Sequence, residues 1–144
     1  CDQVKAKTAI AAWSWTTGVP LVAAGAAGGK RHAERIEIGD LASVTHDPLL
    51  AQLRYRLRKF HGGARQGAMQ LACVFSREAV APPDPSCGLD AGDGSLNCHG
   101  FGSVVSVTAS AGMAAAGWVM NTLAAGNLRK VKPPSKTPKN DAII

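Results

Sequence analysis

Asp2, Lys5 and Lys7 stand at the beginning of the chain, where apolar residues at helical spacing predict a first helix. An acidic side chain at a strand-to-helix junction can hold Mg²⁺ on a nucleotide, in the crevice where α/β sheets bind ligands. The alternative is an aspartate that caps the helix beside two solvated lysines. These residues alone favour the alternative.

Cys98 is the second candidate for chemistry, since it is followed by His99 and by the run Gly100-Phe101-Gly102-Ser103. A cysteine near a helix N-terminus can have a lowered thiol pKa, and a neighbouring histidine can assist. The alternative is a loop cysteine of no special reactivity. Cys73 lies in an apolar run and is predicted to be part of the core.

The four cysteines show no Cys-x-x-Cys spacing, which disfavours a structural zinc site of the usual kind. Their irregular spacing and the absence of a secretory signal predict reduced thiols in the cytoplasm. The four histidines also lack metal-ligand spacing. The segment 25–30 is rich in glycine but lacks the Gly-Lys-Ser/Thr ending of a phosphate loop, so close backbone packing at a turn explains it better.

Composition predicts one soluble domain with an anionic partner. The chain has 144 residues, of which 46% are hydrophobic, and a formal net charge of +6. That length is sufficient for a single core, and a basic surface attracts nucleic acid. The positive charges cluster at 54–59 and again at 129–139, and a solvated face is the alternative for both clusters.

Hydrophobic periodicity and end signals predict an alternation of helices and strands, which is typical of an α/β fold. Gly18 is placed to end the first helix, and Asp47 followed by Pro48 begins the clearest one. Helices are predicted at 3–17 and 48–60, and strands at 19–24, 35–38 and 73–76.

The segment 101–128 contains no charged residue. Its length allows a membrane span, but its serines, threonines, alanines and glycines make it only weakly hydrophobic. A long buried C-terminal helix is therefore the prediction, with a membrane span as the disfavoured alternative. The domain is expected to cover residues 1–128, after an irregular excursion at 80–97, and a disordered Lys/Pro-rich tail is expected at 129–144.

Several motifs in a fixed order resemble the tRNA threonylcarbamoyladenosine dehydratases of the ThiF/MoeB-type adenylating family. Each motif is modest alone, but together they cover about residues 1–128. They are Cys1-Asp2-Gln3-Val4-Lys5-Ala6-Lys7, Pro20-Leu21-Val22-Ala23-Ala24 with the glycines to 29, Asp47-Pro48-Leu49 through Leu57, Cys73-Val74-Phe75-Ser76-Arg77-Glu78-Ala79, and the stretch from Cys98 to Gly112.

The resemblance implies the second half of a Rossmann-type, ThiF-like domain. Family members use ATP to activate a carboxylate as an acyl-adenylate, here on the threonyl group of a modified adenosine beside the tRNA anticodon. Ring closure then removes the elements of water. ATP, Mg²⁺ and tRNA are the implied ligands, the related enzymes are homodimers, and the implied location is the cytoplasm.

By position, Asp2 matches the aspartate that contacts Mg-ATP in the family, and Lys7 matches a basic position in the same motif. Cys98 matches the cysteine of a loop near the reaction centre. The helix that carries Arg54, Arg58 and Lys59 fits a basic surface that meets tRNA phosphates, an expectation that rests on charge.

The family's Gly-x-Gly-Gly-x-Gly turn, which holds the ATP phosphates, has no counterpart in these residues, and the chain begins with Cys1 instead of Met. A partial or processed chain that is inactive alone is therefore expected. Two other functions are kept as alternatives. One is an activator of a sulfur-carrier or ubiquitin-like protein, in which Cys98 forms an adduct within a sulfur relay, and the other is a non-catalytic basic RNA-binding module.

Overall fold

The computed structural model describes residues 1–81 and 102–126, which form a small mixed sheet with helices packed against it. The sheet has three strands in the order β1-β3-β2. The elements in chain order are α1 (Val4–Thr17), β1 (Val22–Ala24), β2 (Ile36–Asp40), α2 (Pro48–Phe60), β3 (Ala72–Ser76) and α3 (Val105–Ala124), with short 3₁₀ turns at Ala33–Arg35 and Leu41–Ser43. The predicted α/β class is confirmed.

Helix α2 begins and ends where the sequence predicts. The side chain of Asp47 accepts a hydrogen bond from the N–H of Leu50 at 2.9 Å, and Pro48 occupies the first turn, where its missing N–H leaves no donor unsatisfied. Leucines at helical spacing, including Leu53 and Leu57, are buried on one side of this helix. They supply most of the core contributed by α2.

Helix α1 ends at Gly18, which has a left-handed backbone with φ of 73° and donates its N–H to the Ser14 carbonyl at 2.8 Å. Glycine takes this conformation without a steric cost, so the predicted C-cap is confirmed. The strand predicted at 19–24 is shorter than expected and occupies only β1. The strand predicted at 35–38 is displaced slightly towards the C-terminus, as β2.

Strand β3 lies at the centre of the sheet, parallel to β1 and antiparallel to β2. Ala23 pairs with Cys73 on one side, and Glu37 pairs with Phe75 on the other. Cys73 and Phe75 join the main hydrophobic core together with Ala11 of α1 and the α2 leucines. Because side chains alternate along a strand, Val74 points to the opposite face of the sheet.

Helix α3 corrects the prediction of a buried C-terminal helix. The helix is present and contacts all three strands, yet Val107 is its only buried residue within the described part of the chain. Val105, Met113 and Met120 are largely exposed. A segment without charges was expected to be surrounded by protein, whereas this helix lies across the sheet and is covered on one side alone.

No helix within residues 1–81 and 102–126 is both long and apolar enough to cross a membrane. The irregular excursion predicted at 80–97 lies almost wholly outside the described residues, as does the predicted disordered tail at 129–144.

The loop after β1 packs against the first turn of α2 so closely that only glycine fits at position 25. A Cβ atom on Gly25 would lie 2.1 Å from Oδ2 of Asp47 and 3.0 Å from a methyl carbon of Leu50. The same Asp47 oxygen accepts the N–H of Ala26 at 2.8 Å. The glycine-rich segment 25–30 is therefore a packing turn, as its sequence predicts.

We expect Gly25→Ala to lower the free energy of unfolding by about 3 kcal/mol, because the added methyl group must displace a buried, hydrogen-bonded carboxylate. Gly112→Ala is the matched control. Gly112 lies inside α3, and no atom lies within 4 Å of the position that an added methyl group would take, so alanine should stabilise the helix by about 0.5–1 kcal/mol. Urea unfolding followed by circular dichroism measures both changes. Equal midpoints for the two variants would contradict the packing argument.

Candidate functional site

A cavity of about 310 Å³ opens where β1 ends and α1 begins. This is the carboxyl end of a strand in an α/β sheet, the position where such sheets bind ligands. The cavity has the size of a small-molecule site. Its lining brings the first residues of the chain against the glycine loop and consists of Cys1, Asp2, Lys7, Ala24, Gly25, Ala26, Ala27, Gly28 and Leu49.

Asp2 lies at the rim of this cavity and does not cap α1. The N-cap residue is Gln3, and no side-chain hydrogen bond caps the helix. Asp2 is exposed, so its carboxylate faces solvent beside the cavity. The geometry therefore removes the helix-capping alternative for Asp2 and leaves its carboxylate available to a cation or a polar ligand.

Lys7 is buried in the wall of the cavity, whereas Lys5 is exposed. The Lys7 ammonium donates a hydrogen bond to the carbonyl of Ala24, the last residue of β1. Burial lowers the pKa of Lys7, and the negative charge of Asp47 opposes that shift most strongly. The solvated alternative is thus wrong for Lys7, which instead places a cationic donor at the strand end that faces the ligand crevice.

Lys30 is a buried cation that residue spacing did not single out. Its ammonium donates to the carbonyl of Ser76 at 2.7 Å and to that of His46 at 3.3 Å, and it lies 3.9 Å from Oδ2 of Asp47. Burial lowers its pKa, while Asp47 and Glu78 act in the opposite direction. Lys30 therefore ties the C-terminal end of the glycine loop to β3 and to the residues before α2. A lone lysine after a glycine run was the only signal in the sequence.

Glu78 holds the segment that follows the glycine loop. Its carboxylate accepts the N–H groups of Arg31 and His32, each at 3.0 Å. The hydrogen bond from the His32 backbone is the main reason that the pKa of Glu78 is lowered, and the one from Arg31 adds to it. Glu78 lies two residues after the end of β3, so the central strand anchors the segment that contains Arg31 and His32.

The three residues predicted to form a tRNA surface differ in their surroundings. The guanidinium of Arg54 donates to the carbonyls of Leu41 at 3.0 Å and Val44 at 2.7 Å, so it is engaged in joining α2 to the preceding turn. Arg58 donates from Nε to the Ala64 carbonyl at 2.9 Å. Lys59 is exposed. Of the predicted set, Lys59 is thus the most accessible to a phosphate.

Cys98 and His99 lie outside the described residues, so the role of Cys98 stays a prediction. Cys73 is fully buried in β3, as predicted, and burial raises its pKa to about 12. Its thiol is therefore neutral near pH 7 and inaccessible to substrate. Cys1 is exposed and lines the cavity.

The residues around the cavity fit one side of a nucleotide site. Proteins commonly hold Mg²⁺ through one or two carboxylates plus the substrate phosphates, which suits a single exposed Asp2. The first backbone N–H groups of α1 and the ammonium of Lys7 supply positive potential nearby. Among residues 1–81 and 102–126, no group of three metal-binding side chains exists that would hold a cation without help from a ligand.

No family model matches the sequence. It is 34% identical over 138 residues to the tRNA threonylcarbamoyladenosine dehydratase of Escherichia coli K12, a match that covers 90% of this chain and 52% of that protein. The dehydratase of Haemophilus influenzae is 30% identical over 125 residues, which is 85% of this chain and 48% of the relative.

Solved structures of the E. coli dehydratase are also similar to this chain. The E. coli dehydratase in complex with ATP superposes with a TM-score of 0.72 at 33% identity, covering 88% of this chain and 46% of that one. Its complex with AMP gives a TM-score of 0.72 at 34% identity, with 88% and 47% covered.

The chain spans about half the length of the curated relatives that it matches. The sequence matches and the superposed structures both cover 85–90% of this chain. The resemblance first indicated by the ordered motifs is therefore confirmed. The chain is a homologue of the tRNA threonylcarbamoyladenosine dehydratases and shares their mixed α/β fold over the region that it matches.

Proposed function

We propose that this chain supplies one wall of the ATP site in an enzyme that dehydrates threonylcarbamoyladenosine in tRNA. The observation that supports the proposal most directly is the meeting of Asp2, Lys7 and the glycine loop around one cavity at the end of β1. The relatives are named for this activity, and one of them has been solved with ATP bound.

In the proposed reaction, a carboxylate oxygen of the threonyl group attacks the α-phosphorus of ATP, and pyrophosphate leaves. A nucleophile of the neighbouring carbamoyl group then attacks the activated carbonyl carbon and loses its proton. AMP leaves with the former carboxylate oxygen, so the ring closes with net loss of water. Conversion of a poor leaving group into AMP is what makes the closure feasible.

The residues of this chain have separate parts in that scheme. Asp2 would share a Mg²⁺ ion with the phosphates, and the cation would offset the negative charge that builds up during adenylation. Lys7 would strengthen the positive potential at the same end of α1, while its bond to Ala24 keeps the strand end in place. Lys59 and Arg58 would contribute to phosphate binding on α2.

The proposal includes tRNA as substrate, a homodimer as the assembly, and the cytoplasm as the location. Within residues 1–81 and 102–126, β1 is an edge strand of the sheet, and the backbone groups of an edge strand can accept a further strand, which favours association.

We expect Asp2→Ala to lower ATP-dependent AMP release on threonylcarbamoyladenosine-containing tRNA by at least about 100-fold, because one metal-positioning carboxylate is lost. Lys5→Met is the control, since Lys5 is a neighbouring exposed residue outside the cavity lining, and it should stay within about twofold of the parent. One assay follows the release of radiolabelled AMP. A second assay follows the cyclised nucleoside by mass spectrometry.

The assay is run on the 144-residue chain and, in parallel, on the complete translation product of its gene. Activity in the complete product that is unaffected by Asp2→Ala would contradict the assigned role. Turnover by the 144 residues alone would contradict the view that they form only one wall of the site.

The alternative use of a thiol, in activating a sulfur-carrier or ubiquitin-like protein, is proposed for Cys98 and not for Cys73.

We expect brief treatment with iodoacetamide at pH 8 to leave Cys73 unmodified and to alkylate Cys1, because roughly one Cys73 thiol in ten thousand is ionised at that pH. Peptide mass mapping gives the result, and unfolding in urea should expose Cys73. Rapid native alkylation of Cys73 would overturn its assignment to the core.

A further inference from the structure

Two large aromatic side chains, Tyr55 and Phe60, are exposed on the second half of α2. Each has 56% of its surface accessible, although the described leucines of the same helix are buried. Only seven residues of the chain are aromatic, and two of them lie within six positions and leave apolar ring surface in water. Neither ring contributes to the hydrophobic core.

Cationic side chains accompany both rings. Lys59 Nζ lies 5.5 Å from the centre of the Tyr55 ring and 5.1 Å from that of Phe60, and it donates to the Tyr55 hydroxyl at 3.2 Å. The Arg56 guanidinium carbon lies 5.5 Å from the Phe60 ring centre. Because Tyr55 and Lys59, and likewise Arg56 and Phe60, are four residues apart, they form two adjacent rows on one helix side. These four residues are called the aromatic–cation surface.

The chain segment that contains this surface carries side-chain charge of one sign. Between Asp47 and Glu78 the chain has no acidic residue, but it has six arginines and lysines. Arg58 and Arg65 extend the positive charge beyond the four residues named above. Among the described residues, the buried Nε of Arg56 has no hydrogen-bond partner. The surface therefore carries donors and positive charge that nothing in the described part of the chain neutralises.

Exposed rings interleaved with cations suit a single-stranded nucleic acid. Bases stack on aromatic faces whatever their identity, while arginine and lysine contact the backbone phosphates. A duplex offers phosphates but keeps its bases stacked inside, so it would gain from the cations and not from the rings. A protein partner would use the apolar area of the rings, yet it would have to be strongly acidic to match the charge.

We propose that the aromatic–cation surface binds unpaired bases of RNA, with Tyr55 and Phe60 as stacking platforms and Lys59 and Arg56 as phosphate contacts. This inference rests on the proposed function in one respect, namely that the RNA is the tRNA substrate and the bases belong to its anticodon loop. Leu49 of the same helix lines the nucleotide cavity, and the rings lie about 9 and 17 Å further along the helix axis.

The test measures binding of a fluorescein-labelled single-stranded RNA of twelve nucleotides and of a duplex of equal length, without ATP. Tyr55→Ala and Phe60→Ala should each weaken single-strand binding about tenfold and leave duplex binding within about twofold. Trp13→Ala is the matched control, because Trp13 is an exposed aromatic residue of α1, and it should change neither affinity. Since the two rings are exposed, unfolding midpoints in urea should stay unchanged and exclude misfolding.

Tyr55→Leu and Phe60→Leu separate stacking from simple apolar contact, because leucine keeps the apolar bulk without the flat ring face. We expect the leucine variants to lose single-strand affinity nearly as much as the alanine variants do. Lys59→Gln should reduce the salt dependence of binding by about one phosphate contact. Unchanged single-strand binding in the alanine variants, equal losses on the duplex, or full binding by the leucine variants would each overturn the proposal, and the last outcome would indicate apolar contact in place of stacking.

The outcome is independent of the ATP chemistry. Asp2→Ala should lower AMP release at least about 100-fold while it leaves RNA affinity unchanged, whereas the ring variants should weaken RNA binding whether or not the chain takes part in adenylation. RNA binding that depends on the rings, together with AMP release that is unaffected by Asp2→Ala, would count against the proposed function alone. AMP release that is lost in Asp2→Ala, together with RNA binding that is unaffected in the ring variants, would count against the RNA surface alone.

Discussion

The carboxylate of Asp47 is the constraint on which the rest of the structure depends. It is buried, and it links three parts of the chain that are distant in sequence: the first turn of α2 through Leu50, the loop after β1 through Ala26, and the cation of Lys30. Lys30 continues the connection to the carbonyl at the end of β3. Removal of one member of such a buried pair leaves the other charge without compensation, which costs more than the pair contributes.

The cavity lined by Asp2 and Lys7 is a consequence of that linkage. Two of its walls are the loop that Asp47 holds and Leu49, which lies in the first turn of α2. The close approach of Gly25 to the same carboxylate fixes the distance between these two walls. Lys7 then bonds the first helix to the end of β1, so the rim that bears Asp2 is positioned relative to the loop. The site is thus held by a buried ion pair and by hydrogen bonds to the backbone.

The sequence predicted the elements better than it predicted their surroundings. Asp47, Pro48 and Gly18 give local signals, since a cap or a left-handed turn depends on a few adjacent residues, and the helix ends that they mark are confirmed. The order β1-β3-β2 depends on pairings between distant residues, which no local pattern specifies. The resemblance grouped Asp2 and Lys7 in one motif, and both residues line one cavity, but the burial of Lys7 became evident only from the neighbouring strand.

The same limit explains two differences on the helices. The absence of charge in 101–128 predicted burial, yet α3 is largely exposed in the described chain. An uncharged helix can be buried, but its sequence does not specify how many of its sides other elements cover. On α2, charge alone grouped Arg54 with Lys59. The carbonyls of Leu41 and Val44 that engage Arg54 belong to a turn whose position depends on the whole fold.

Gly29 has a consequence for how this fold can vary in length. Its N–H donates to the carbonyl of Gly102 at 3.1 Å, and its own carbonyl accepts the N–H of Ala81 at 2.9 Å. The two places where the intervening stretch 82–101 leaves and rejoins the described fold are therefore tied to a single residue. Because Gly29 holds both Ala81 and Gly102, a change in the number of residues between them need not move the sheet. Gly29 thus makes this position a natural insertion point, at which residues can be gained or lost while the sheet and its cavity keep their geometry.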